Sequence, residues 1–293
     1  MIPMIAMLVD TAIYHDESTA VNYVHEWGVV VFEENIGPVI CGSPWEGSAM
    51  FMNDDLCAEA PVVWIHGEPF EGTFRVEVEP GETITMVYPD PDTLEYEFAE
   101  WYISSVQKIE EINEYAYVYD GPFLWAVESW RDVPSLSLFN ENSGITENFL
   151  YYECTVPPSF GDIFFHWGPE GTPVFAGVPV DDALAFTPYG IVQVALQGDE
   201  FIPNEYPFQG ITLPEHVVDT FCRWAGSKLK TSEISALWKT WQPAFTEPGH
   251  YWLVFPIPEE YNNLISTIRL ETSDNRDIEY NRLFLGAVRV SLQ

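Results

Sequence analysis

Basic side chains are scarce in this chain: 11 Lys and Arg stand against 46 Asp and Glu, a formal net charge of −35 over 293 residues. So few cations cannot neutralise a run of phosphates, which sets nucleic acid aside as a partner. No basic patch is present for an anionic membrane surface either. Long apolar runs are also missing, and no stretch approaches the ~20 consecutive apolar residues of a spanning helix. Cysteine is sparse, and Cys41, Cys57, Cys154 and Cys222 include no CxxC pair, which removes the usual structural zinc knuckle. The phosphate-loop, dinucleotide, nucleophile-elbow and HExxH zinc signatures are all absent. One SxxK match, Ser105–Lys108, lies where a strand or turn is expected rather than a helix start.

Aromatic residues, in contrast, are abundant: 11 Trp, 15 Tyr and 19 Phe. They supply far more burial than a solvated coil carries, so a disordered chain is excluded. The length fits one large or two modest domains. A folded monomer of this mass exposes roughly 12,600 Å², which spaces the net charges about 19 Å apart. That exceeds the Debye length of about 8 Å, so the acidic excess reads first as a solubilising surface. Attraction of a cation or of a basic protein partner is the functional alternative.

Period-two alternation in short runs, separated by turn residues, dominates the pattern. In Asn22–Glu33, alternation puts His25, Trp27, Val29 and Val31 on one face and Val24, Glu26, Val30 and Phe32 on the other. Pro61–His66 reads as a short apolar strand. Thr73–Glu79 and Thr83–Tyr88, joined at Pro80-Gly81, read as a hairpin. Further strands are expected at Leu94–Ile103, Leu124–Trp130, Phe149–Val156, Asp162–Trp167, Ile191–Gln197, Tyr251–Pro256, Leu264–Glu271 and Leu283–Leu292. Two helices interrupt them. Leu213–Ala225 starts after Thr212 and stops at Gly226, and Ser232–Trp241 is capped by Thr231 or Ser232 and ended or kinked by Pro243. The expected fold is therefore mainly β, an antiparallel β-sandwich with a two-helix excursion in the C-terminal third. Residues 1–20 read as an N-terminal segment, apolar and ending in small residues like the remnant of an export signal. Residues 21–157 read as a β-sandwich domain. Residues 158–293 read as a β-rich region with the αα-hairpin, either separate or joined to the first. In an exported protein a Cys41–Cys57 disulfide would close a Gly- and Pro-rich loop and contribute about 3 kcal/mol. Two reduced, buried cysteines are the alternative.

At His25-Glu26-Trp27-Gly28 the chain resembles a family of exported proteins marked by an N-terminal His-Glu-Trp-Gly motif. The resemblance continues at Pro61–His66, Tyr88-Pro89, Phe149–Tyr152, the helix bearing Trp238 and Trp241, Trp252–Pro256 and Gly286–Val290. Glu153-Cys154 and the residues after Gly28 depart from it. The resemblance implies export and a β-rich fold, with an extracellular or cell-envelope location, and implies no catalytic role.

Four of the six histidines lie within two residues of a Trp: His25, His66, His166 and His250. Neutral imidazoles buried among indoles explain this without any ligand. The functional reading is a zinc or acid–base site in which His25, His66 and His166 converge beside Trp27, with Glu26 behind them, although alternation sends Glu26 to the other face. Asp54, Asp55, Asp90 and Asp92, together with Asp181-Asp182, lie in loop-like stretches of the kind that bind calcium, without the DxDxDG spacing. Aromatics beside carboxylates also suit a carbohydrate. The expected function is a non-catalytic extracellular or envelope binding or structural protein. A metal-assisted or glycoside hydrolase built on His25, His66 and Glu26 is the alternative. A solvent-reaching cleft at these histidines favours the second, and dry packing against Trp27 and Trp64 favours the first.

Overall fold

The computed structural model describes residues 21–33, 56–107, 124–168, 173–175, 177–178, 180–196, 211–212, 215–247 and 250–291. The N-terminal segment, Cys41, Asp54 and Asp55 lie outside the described residues, and of Cys57 only the backbone is described. Numbered along the chain, the strands begin with β1 (Val21–Glu33), β2 (Leu56–His66), β3 (Glu71–Glu77), β4 (Ile84–Tyr88), β5 (Thr93–Leu94) and β6 (Phe98–Val106). The middle of the chain adds β7 (Ser137–Asn140), β8 (Ile145–Glu147), β9 (Leu150–Val156), β10 (His166–Trp167) and β11 (Pro173–Val174). Then follow β12 (Val180–Thr187), β13 (Gly190–Leu196), β14 (Ile211–Thr212), β15 (His250–Pro256), β16 (Thr267–Thr272) and β17 (Asp277–Ser291). The helices are α1 (Val127–Arg131), α2 (Glu215–Ala225), α3 (Thr231–Phe245) and α4 (Asn262–Ile265).

A nine-stranded sheet runs β14-β13-β12-β15-β17-β1-β2-β9-β4, and a six-stranded sheet combines β16-β3-β6-β7-β8 with β5 beside β6. Strands from both halves of the chain thus share the larger sheet. Its pairs are antiparallel apart from the parallel pair of β1 and β17. The two faces of β1 explain the layering. Val24, Val30 and Phe32 join Phe74, Trp101, Leu138 and Leu270 of the smaller sheet in one core. Trp27, Val29 and Val31 join Trp130, Phe221, Leu237 and Trp241 in a second core beneath the helices. The mainly β, sandwich-type architecture expected from the alternation is present, and the helices add a third layer on the outer face of the large sheet.

Three local expectations are corrected. Thr73–Tyr88 is not a hairpin: β3 pairs with β6 and β16, whereas β4 pairs with β9 at the edge of the other sheet. The Glu79–Glu82 turn carries the chain between layers. Alternation assigns each strand a buried face, and here the two faces are buried against different partners. Leu124–Trp130 forms a 3-10 turn running into α1 instead of a strand. That places Trp130 to donate its indole N–H to Thr240 (2.9 Å) while its carbonyl accepts from the Trp64 indole N–H (3.1 Å). Asp162–Trp167 is a strand only at His166–Trp167, preceded by a 3-10 stretch over Pro158–Ile163.

Both helices form close to the expected places. Val217, Phe221 and Ala225 are the buried stripe of α2, and Gly226 ends it with φ of 62°, the left-handed conformation that glycine adopts at low cost. In α3 the stripe is Ile234, Leu237, Trp238, Trp241, Ala244 and Phe245, and the helix runs two residues past Pro243. No helix among the described residues is long and apolar enough to cross a membrane.

Candidate functional site

Tyr23 of β1 lies directly opposite His66 of β2, and His25 lies opposite Trp64. Directly paired residues share a face, so His25 and His66 are diagonal neighbours on the helical side. Their rings are 4.5 Å apart between centroids. The chain then delivers a carboxylate onto them. Lys230 is the N-cap of α3, which puts Glu233 at the third helical position, where a carboxylate reaches back to the first turn. Its Oε2 accepts from the Lys230 backbone N–H at 2.6 Å. This bond holds the side chain over the histidines.

Glu233 is fully buried and its oxygens are filled. Nδ1 of His25 lies 3.0 Å from each oxygen, and Nε2 of His66 lies 2.7 Å from Oε1. Burial alone would raise the Glu233 pKa, but hydrogen bonds from His25 and His66 outweigh it and bring it down to about 2. The His66 pKa moves below its ordinary value, chiefly because burial disfavours the imidazolium. On its far side Nδ1 of His66 lies 2.8 Å from the Lys230 ammonium, which also donates to the Pro134 carbonyl at 3.1 Å. Burial lowers the Lys230 pKa as well. Asn281, paired with His25 across β17, approaches Nε2 of His25 at 3.4 Å.

The backbone around His66 is fixed from behind. Asn22 donates to the carbonyls of His66 (3.2 Å) and Glu68 (2.9 Å). Between them Gly67 has φ of 113°, and a Cβ there would stand 2.8 Å from the Val21 carbonyl oxygen. The histidines form part of the wall of a cleft of about 530 Å³, with Tyr23, Glu279 and Asn281 on one side and the Ser227–Lys230 loop on the other. Both imidazoles are 7% exposed, so only their rims meet this space.

The remaining candidates sit elsewhere. Trp27 is fully buried beside Trp64 and Trp130, in the aromatic core under the helices. Glu26 faces the sandwich core, where it pairs with Arg282 and accepts from the Tyr152 hydroxyl at 2.6 Å. Ser266 completes that network, accepting from Arg282 at 2.7 Å. Glu26 therefore has no part in the histidine cluster. His166 is exposed in the small β10–β11 pair and does not join His25 and His66. Asp90 is exposed, and Oδ2 of Asp92 accepts from the Tyr102 N–H and the Asn140 amide, both at 2.6 Å. Through these two bonds Asp92 staples the turn before β6 to β7. Asp182 lies in β12, not in a loop, and accepts from Arg223, Trp224 and Gln193. Ser105 exchanges hydrogen bonds with the Phe70 backbone, and Lys108 is outside the described residues. Cys154 and Cys222 are free.

Glu233 was missed from sequence because 167 positions separate it from His66. The available signal was local: a Thr-Ser-Glu run opening an apolar helix, with the carboxylate at the position that turns back on the N-cap. Among the described residues, the one group of three or more His, Cys, Asp or Glu side chains suited to a metal is His25, His66 and Glu233, with ligand atoms all within 4.8 Å of one another. Set against models of known families, curated proteins and solved structures, the chain matches none.

Proposed function

We propose that the protein is an exported binding protein whose centre, His25–His66–Glu233, takes a divalent cation of the zinc class. One observation carries this reading: two imidazole nitrogens and a carboxylate, delivered by β1, β2 and α3, converge within 4.8 Å at the edge of a cleft. Imidazole with carboxylate suits zinc and its transition-metal neighbours, whereas calcium favours oxygen donors throughout. The carboxylate stays ionised at neutral pH, so it is ready to ligate. The extracellular or envelope setting rests on the apolar N-terminal segment and on the His-Glu-Trp-Gly resemblance. The acidic surface suits a protein that attracts cations.

A second reading, metal-assisted hydrolysis, is favoured by the cleft itself. Three protein ligands beside an open space match the arrangement in which a catalytic zinc keeps a fourth position for water. The deciding measurement is metal content and Co²⁺ titration on protein purified without chelator. The expected result is one ion per chain, with tetrahedral Co²⁺ absorption that disappears in His66→Ala and Glu233→Ala while both variants still melt cooperatively. Absence of stoichiometric metal in wild type under saturating Zn²⁺ overturns the proposal.

A further inference from the structure

The metal reading leaves one neighbour unexplained. An ammonium has only donors, so Lys230 must use the Nδ1 lone pair of His66 for its 2.8 Å contact. A neutral imidazole carries a single N–H, which then resides on Nε2, where it donates to Oε1 of Glu233 at 2.7 Å. His25 completes the set by donating from Nδ1 to the same carboxylate, with Nε2 turned to Asn281. Every polar atom of the cluster is satisfied in this arrangement, and the nitrogen of His66 closest to Glu233 has no lone pair for an ion.

A metal on Nε2 requires the ring proton to sit on Nδ1, and there it would meet the protons of the Lys230 ammonium. Metal-ligating histidines ordinarily donate their second N–H to an acceptor, and here that position holds a donor. Two cations would also face each other across one imidazole ring in a buried setting, where repulsion is poorly screened. The Lys230 backbone is anchored by Glu233 through the N-cap bond, but its side chain is long and lines the cleft. The ammonium can therefore leave while the helix start stays in place.

We propose that Lys230 is a tethered competitor of the metal ion: His66 serves either the lysine ammonium through Nδ1 or, with Glu233, the divalent cation through Nε2, and loading the site expels Lys230 into the cleft. The inference rests on the His25–His66–Glu233 centre and assigns its regulation. Lys230 ligates nothing; it sets which tautomer His66 presents and so how tightly the site holds metal.

Co²⁺ titration at one fixed pH on wild type, Lys230→Met and Lys228→Met tests it, since methionine keeps an unbranched apolar stem and removes the charge. Lys230→Met should bind at least about tenfold more tightly, the scale expected from removing a like charge roughly 6 Å away across one imidazole ring. Lys228→Met is the control, because Lys228 lines the same cleft but pairs with Glu259, and it should bind like wild type. Nitrogen-15 NMR of metal-free wild type gives a second readout, with the His66 proton expected on Nε2. Wild-type binding with Lys230→Met equal or weaker overturns the competitor role and leaves the metal centre standing. A metal-free His66 protonated on Nδ1 overturns the role as well, even if Lys230→Met fails to fold. No metal in either protein removes the centre and the competitor together.

Discussion

His25 and Glu26 are consecutive in β1 yet serve opposite layers: His25 reaches Glu233 on the helical side, while Glu26 reaches Arg282 and Tyr152 inside the sandwich. Two buried carboxylates, 207 positions apart in sequence, thus meet cations or imidazoles on the two faces of one strand. The register shift after Trp27 places its extra residue in β2, so β1 keeps that alternation. A Cβ on Gly28 would lie 2.6 Å from the Phe284 ring and 3.3 Å from Pro61.

Neutralising Glu26 should be costly. Arg282 is almost wholly buried and its strongest partner is this carboxylate, so Glu26→Gln leaves an under-compensated guanidinium in the core. The expected loss is about 3–5 kcal/mol in urea denaturation, against a substantially smaller loss for the Glu26→Gln, Arg282→Met double variant. A single-variant midpoint within error of wild type would refute the buried pair.

Trp238 and Lys239 are adjacent on α3 and face opposite ways, one stacked on Phe186 and edge-on to Phe221, the other exposed. Trp238→Ala should cost about 3–5 kcal/mol because the vacated indole leaves a cavity. Lys239→Ala should stay under about 0.5 kcal/mol. Equal denaturant midpoints for the two would contradict the burial of this helix face.

Glu153 gives the stability a pH signature of its own. It is fully buried, accepts from the Tyr151 hydroxyl through one oxygen and, among the described residues, has no hydrogen-bond partner for Oε2. Burial raises its pKa to about 7, so the folded state holds this proton over a range where the unfolded chain has lost it. Its contribution is fully present below the ordinary glutamate pKa and declines as the pH rises toward 7. Relative to Glu153→Gln, wild type should therefore lose about 3 kcal/mol between pH 4.5 and pH 8. Denaturant midpoints of both proteins at the two pH values measure this. A constant gap would show that the carboxyl is already ionised in the folded protein.

Much of the layer structure was legible in the sequence because alternation reports burial directly. His25, Trp27, Val29 and Val31 sort from Val24, Glu26, Val30 and Phe32 as the period-two pattern requires. Partner choice was not legible. Phe74, Val76 and Val78 alternate as a hairpin arm would, but β3 pairs with the strands of Trp101 and Leu270 in the smaller sheet, whereas β4 pairs with β9. The apolar run Leu124–Trp130 was ambiguous for a different reason. It is too short for a helical period to declare itself, and its folding is decided by Thr240 and Trp64, far away in sequence. The site divided similarly. The histidines were visible through their neighbouring tryptophans, whereas Glu233 depended on where α3 begins. Reading Thr231 or Ser232 as the cap, one or two residues late, moves the carboxylate off the position that reaches the histidines.

The parallel seam between β1 and β17 governs how the chain reaches its fold. These strands lie side by side in the middle of the larger sheet, with register Val21↔Asp277 through Glu33↔Arg289, so closing the seam ties a loop of more than 240 residues. Such a contact comes at high entropic cost before it returns any burial, and topologies dominated by contacts of this range fold slowly. Among the described strands β1 is synthesised before all the others and its neighbour β17 after them. Until then the Val29–Phe32 run keeps one edge unpaired, a sticky template for intermolecular strand addition. Shielding this segment until β17 has been made would keep that edge from pairing with a second chain.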